Sequence, residues 1–154
     1  MMFKMYFQMQ SFLSTRLLDM TNSRNKGAAF EREIAKLINE EFSLSIPLKR
    51  ILEQTREKFL PDLILGRWYL ECKRYGHGNE PIEKWWDQVI DSTKAEGFPA
   101  LIYKFNNRPI KVRVPLHSVN PELQKNNNNT CDLLWKDFIY LLKNLYIEDI
   151  EKHK

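Results

Sequence analysis

The chain has 154 residues, with 24 lysines and arginines against 20 aspartates and glutamates, for a formal charge of +4. That length makes one domain with room for a core, and the positive balance permits a nucleic-acid partner without requiring one. Two cysteines exclude a disulfide-stapled scaffold, and without a secretory h-region or a long apolar run the chain reads as a reduced cytoplasmic protein with no membrane partner.

Residues 1–19 are methionine-rich, carry no clear helix cap and read as an N-terminal extension. They form either a native interaction helix or a stretch ahead of a true start at Met20. From Gly27 to Phe42, apolar residues recur at Phe30, Ile34, Leu37, Ile38 and Phe42, which predicts a helix. At about 100° per residue, Glu31 projects between Ile38 and Phe42, inside the apolar arc. A carboxylate there costs free energy unless it is paired or binds a metal. Glu31 is therefore a metal ligand, half of a buried Glu–Arg pair, or an acid at the stripe's edge that reaches water. Cations gather around this region at Arg24, Lys26, Lys49, Arg50, Arg56 and Lys58. Their clustering near acids points to phosphate contacts and salt-dependent binding. Lys26, Arg50, Gln54 and Arg56 are the candidate DNA contacts in this part of the chain.

The most informative segment is Leu60–Arg74. Two apolar runs, Leu63–Leu65 and Trp68–Leu70, are separated only by Gly66-Arg67. Glycine at the first central position of a two-residue loop predicts a type II′ hairpin. That turn pairs Leu65 with Trp68, Ile64 with Tyr69, Leu63 with Leu70, and hence Asp62 with Glu71. Lys73 lies two residues further along the same face. Directly opposed like charges destabilise a sheet, so the arrangement calls for a cation. A hard divalent ion such as magnesium, which prefers carboxylate oxygens, is the natural candidate. The opposite face (Leu63, Leu65, Trp68, Leu70, Cys72) is wholly apolar. The histidines and cysteines form no zinc-ligand spacing.

Arg74–Asn79 reads as a loop, with Arg74 beside the site. Pro81 opens and Gly97 closes a predicted helix whose stripe is Ile82, Trp85, Trp86, Val89 and Thr93. Gln88 flanks that stripe. Ala100–Phe105 and Ile110–Val114 read as strands around an Asn106–Pro109 turn. Lys125–Asn129 is a polar low-complexity linker. It leads to a helix with Leu134, Phe138, Leu141, Leu142 and Leu145 at helical spacing, either packed on the core or offered to a second copy. Helix, strands, helix, strands suits an α/β sandwich around a mixed sheet.

Taken together, Glu31 in Lys-Gly-Ala-Ala-Phe-Glu-Arg-Glu, then Pro61-Asp62, then Glu71-Cys72-Lys73 resemble the PD-(D/E)XK nuclease superfamily. Within it, the likeness is to archaeal Holliday-junction resolvases and similar phage-encoded endonucleases, from about Asn25 to Leu116. The resemblance implies a restriction-endonuclease-like α/β core with a mixed central β-sheet flanked by helices. Residues 20–116 would be the nuclease core, 117–130 a linker and 131–154 a C-terminal helix. It carries metal ligation onto Asp62 and Glu71, with the helix acid Glu31 joining them, and the catalytic lysine onto Lys73. Gln88 resembles a glutamine found after Glu-x-Lys in many related nucleases and joins Arg74 among the candidate DNA contacts. The implied activity is magnesium- or manganese-dependent hydrolysis of DNA phosphodiesters, selective for branched DNA and performed by a symmetric homodimer. A restriction- or repair-type nuclease of the same superfamily and a non-catalytic nucleic-acid-binding module stay open as alternatives.

Overall fold

The computed structural model describes residues 2–51 and 60–154, with side chains from residue 22 onward. Helix α1 spans Met2–Phe42, so it begins well before the Gly27 start predicted from periodicity. A Cβ at Gly27 would meet nothing within 4 Å, and a glycine in open space inside a helix costs only backbone entropy. Phe30, Ile34, Ile38 and Phe42 are buried as the stripe requires. No helix among the described residues is long and apolar enough to cross a membrane.

A five-stranded sheet follows, in spatial order β1 (Leu63–Leu65), β2 (Trp68–Tyr75), β3 (Phe98–Phe105), β4 (Lys111–Pro115) and β5 (Thr130–Leu134). Strands β2 and β3 are parallel and every other pair is antiparallel, which makes the sheet mixed. The parallel pair is bridged by α2 (Glu83–Ser92), as a parallel connection needs a crossover. Four residues of helix, α3 (Leu116–Val119), follow β4, and α4 (Trp135–Leu145) and α5 (Ile147–Glu151) close the chain.

Alternation along the strands sends side chains to two cores. Trp68, Leu70, Cys72, Ala100, Ile102, Val112 and Val114 meet α1, α4 and α5 on one face. Leu101, Tyr103 and Phe105 meet Trp85, Trp86 and Val89 of α2 on the other. This is an α/β fold with the sheet between helical layers, a restriction-endonuclease-like core. Trp68 ties the hairpin into it, with ring centroids 5.1 Å from Phe98, 5.4 Å from Phe138 and 5.1 Å from Tyr146.

Several predicted elements are corrected. Helix α2 is shorter than Pro81–Gly97, and Ile82 is its exposed N-cap rather than part of the buried stripe. Trp85 and Trp86 are buried in the second core, as their place in the stripe requires. Residues 130–134 form a fifth strand where the periodicity gave linker and helix, so the final helices begin at Trp135. The strand escapes local reading because its signal is its ladder with β4, Val112 opposite Leu133 and Val114 opposite Cys131. Phe138, Leu142 and Ile150 then seal the first core, while Leu134 and Leu145, at the two ends of the predicted stripe, stay exposed. The asparagine-rich segment is anchored too: the Trp86 indole N–H donates to the Asn127 carbonyl at 2.9 Å.

Candidate active site

The β1–β2 hairpin forms with the predicted pairs Leu65–Trp68, Ile64–Tyr69 and Leu63–Leu70. Gly66 has φ +57°, as the first central residue of a type II′ turn requires. The ladder stops one pair short of Asp62–Glu71. The Asp62 N–H donates to the Leu70 carbonyl at 3.0 Å, one residue out of register, as at a bulge. The Asp62 carboxylate instead takes the Cys72 N–H at 2.7 Å, while its own carbonyl accepts from Ile51 N–H at 3.1 Å. A side-chain bond thus replaces the missing ladder bond and fixes Asp62 beside Glu71.

Both carboxylates are buried, Asp62 at 4% and Glu71 at 2% exposure. One oxygen of Glu71, Oε1, receives the Gln88 side-chain amide at 2.8 Å and lies 3.1 Å from the Lys73 ammonium. The other, Oε2, is buried with no hydrogen-bond partner. Burial first, and then the neighbouring Asp62 charge, push the Glu71 carboxyl up to about 7. Glu31 is raised by burial and by Asp62 as well, against the opposing pull of Arg50. The Arg50 guanidinium hydrogen-bonds the Glu31 carboxylate, so the Glu–Arg alternative for that acid is realised, at the edge of the same cleft.

That cleft, about 870 Å³, gathers Lys26, Glu31, Arg50, Asp62, Glu71, Lys73, Arg74 and Gln88. Four segments contribute: α1 brings Lys26 and Glu31, the stretch after it brings Arg50, the hairpin brings Asp62, Glu71, Lys73 and Arg74, and α2 brings Gln88. Gln54 and Arg56 lie outside the described residues. Arg67, one of the cations near the acids in sequence, sits at the other end of the hairpin and is ion-paired to Asp149. Sequence reasoning missed Asp149 and His153, which hold the turn from 82 and 87 residues away. No local pattern marks such partners. Cys72 points into the first core, where burial pushes its thiol far up and leaves it inert.

A buried carboxylate oxygen without a partner is an exception among folded proteins and fits a missing cation. Among the described residues no three His, Cys, Asp or Glu side chains form a ready-made metal cage. Two carboxylates suit magnesium, which binds through one or two of them and leaves its other positions to water and substrate phosphate. Asp62 and Glu71 would hold it, with Glu31 restrained by Arg50 at the cleft's edge.

The model of a family described as phage putative PDDEXK endonuclease matches residues 22–151. The chain belongs to that family. No curated protein and no solved structure matches it. As a PD-(D/E)XK nuclease it takes DNA as its substrate class, and its relatives generally use divalent metals. The match reaches through β5, α4 and α5, which fits their place in the core.

Proposed function

We propose that this PD-(D/E)XK nuclease is a divalent-metal-dependent DNA endonuclease, using magnesium or manganese, selective for branched DNA in the manner of a Holliday-junction resolvase. The observation that carries the metal is the orphaned Glu71 Oε2, buried against Asp62 in a cleft that also holds Lys26, Arg50, Lys73 and Arg74. When bound, the cation polarises the scissile phosphate and makes its bound water more acidic. Gln88 and Lys73 hold Oε1 of Glu71, which leaves Oε2 as the oxygen that would hold the metal together with Asp62. The Lys73 ammonium sets positive charge where negative charge builds on the phosphate in the transition state. Lys26 on α1 and Arg74 on β2 seat the flanking phosphates.

Selectivity for branched DNA and action as a homodimer rest on the resolvase resemblance. Resolving a four-way junction takes two matched nicks, and two-fold symmetry supplies paired sites. The supporting surface is the exposed apolar side chains at and along α4: Leu134 at its N-cap, Tyr140 (69% exposed) and Leu145. The test compares cleavage of four-way junction, linear duplex, flap and single-stranded DNA with magnesium or manganese, alongside sedimentation at micromolar concentration. Symmetric junction nicking by a dimer is expected. A monomer that cuts linear duplex as readily as junctions would refute resolvase action and point to a restriction- or repair-type enzyme.

A further inference from the structure

Beyond the cleft, β2 and β3 end side by side. Their parallel register sets Cys72 beside Ile102, Arg74 beside Lys104 and Tyr75 beside Phe105. Alternation places Arg74 and Lys104 on the face that carries Cys72 and Ile102, the face covered by α1. The strand ends are tied together by the Asn106 N–H donating to the Tyr75 carbonyl at 3.2 Å. Neighbouring strands lie about 4.8 Å apart. Two like charges are therefore held next to each other on a rigid ledge, and both side chains are half-buried. Among the described residues neither Arg74 nor Lys104 takes part in an ion pair. On the neighbouring strands, by contrast, Arg113 on β4 meets Asp132 on β5 at 2.7 Å. Adjacent like charges destabilise a sheet, so a pair left uncompensated points to an anion from outside the chain.

We propose that Lys104 and Arg74 together form a phosphate seat for the nucleic-acid backbone, at the ends of β2 and β3 beyond the acids. Resting on the proposed binding of DNA across the cleft, this assigns Lys104 a role and gives the backbone a direction. The strand runs from Lys26 on α1, past Lys73, to the paired ends of β2 and β3. One phosphate with two free oxygens accepts from a guanidinium and an ammonium at once. Lys111 makes the internal control: it is also on the sheet, but on β4 beside Tyr103 and on the face opposite to that of Arg74 and Lys104.

The experiment is fluorescence anisotropy on labelled duplex and four-way-junction DNA over a salt series, with divalent ions chelated so that no cleavage intervenes. Thermal melting is measured in parallel. Lys104→Ala is expected to weaken binding of both DNAs about tenfold and to lower the salt slope by about one, without lowering the melting temperature. Lys104→Glu, which gives Arg74 an acid partner, is expected to weaken binding further and to raise the melting temperature. Lys111→Ala is expected to match wild type. If wild type binds with a steep salt dependence and Lys104→Ala matches it in affinity and slope, the seat is refuted and the cleft reading stands. If wild type shows no salt-dependent DNA binding, the cleft reading itself falls and the seat falls with it. A Lys104→Ala variant that loses stability in step with binding would make Lys104 a structural residue and overturn the assignment.

Discussion

The two ends of the β1–β2 hairpin are built from the same residue types and reach opposite electrostatic outcomes. At the turn, Asp149 is fully buried, yet its carboxylate takes the Arg67 backbone N–H at 2.6 Å and the guanidinium at 2.9–3.3 Å. The Gly66 N–H donates to His153 Nε2 at 3.1 Å, and the Arg67 guanidinium also lies over the Phe98 and Tyr146 rings. Only glycine fits there, because a Cβ on Gly66 would stand 2.5 Å from Asp149. At the open end, two buried acids lie together, one oxygen has no partner, and the nearest cation, Lys73, serves only the other oxygen. A charge satisfied by a bidentate guanidinium and a backbone N–H holds structure. Charges left in mutual repulsion lower stability and are poised to take a ligand. The clasped end anchors the strands so that the open end keeps its unfavourable arrangement.

Breaking the open end carries the largest expected effect. Asp62→Asn and Glu71→Gln should each reduce metal-dependent cleavage about a thousandfold or more with native circular dichroism retained. Undiminished turnover by both purified proteins would remove the assignment of these acids. Breaking the clasped end should do the reverse. Asp149→Ala strands the Arg67 backbone N–H and its guanidinium, and is expected to cost about 3 kcal/mol in urea unfolding. Cleavage per folded molecule should change little, so a large loss of turnover at full stability would show that the turn takes part in the chemistry.

Lys73→Ala should slow single-turnover cleavage about a hundredfold while metal affinity, read by calorimetry, is largely kept. A wild-type rate would show that Lys73 holds structure only. A smaller effect sharpens the comparison through stability. The Glu71 carboxyl lies above its ordinary value in the folded chain, so the native state binds its proton more tightly than the unfolded one does. In metal-free protein, stability should therefore be higher at low pH and fall as pH rises from about 4.5 to about 7. Glu71→Gln removes that slope, and above pH 7 in chelator it should be more stable than wild type by roughly 1–2 kcal/mol. If denaturant melts place the variant below wild type there, the pair is not repulsive in the folded chain. The smallest expected effect is that of Glu31→Gln, which should lower cleavage more than DNA affinity. A variant deficient only in thermal stability would assign Glu31 to its pair with Arg50 alone.

Much of this was legible in the residues. The hairpin register followed from Gly66-Arg67 between two apolar runs, because a two-residue turn leaves no freedom in pairing. The helical face of Phe30, Ile34, Ile38 and Phe42 followed from its period, and so did the projection of Glu31 toward the same side. The acids and Lys73 could be named because alternation along one strand places Glu71 and Lys73 on one face at any register.

Tertiary structure decided what depends on distant partners. The last predicted pair, Asp62–Glu71, is absent from the ladder: the Asp62 N–H goes to the Leu70 carbonyl and its carboxylate takes the Cys72 N–H. Strand β5 exists only through its ladder with β4, and its five residues, Thr130–Leu134, carry no periodic signal of their own. Arg67 lies close to the acids in sequence, yet the folded chain gives it to Asp149, 82 residues away. Arg50 likewise went to Glu31, 19 residues upstream, where the sequence left several roles open. The sequence determined which side chains share a face, since dihedral period and turn chemistry are local. Which charges are neutralised and which are left for a ligand was decided only when elements far apart in the chain came into contact, since an ion pair depends on proximity in space.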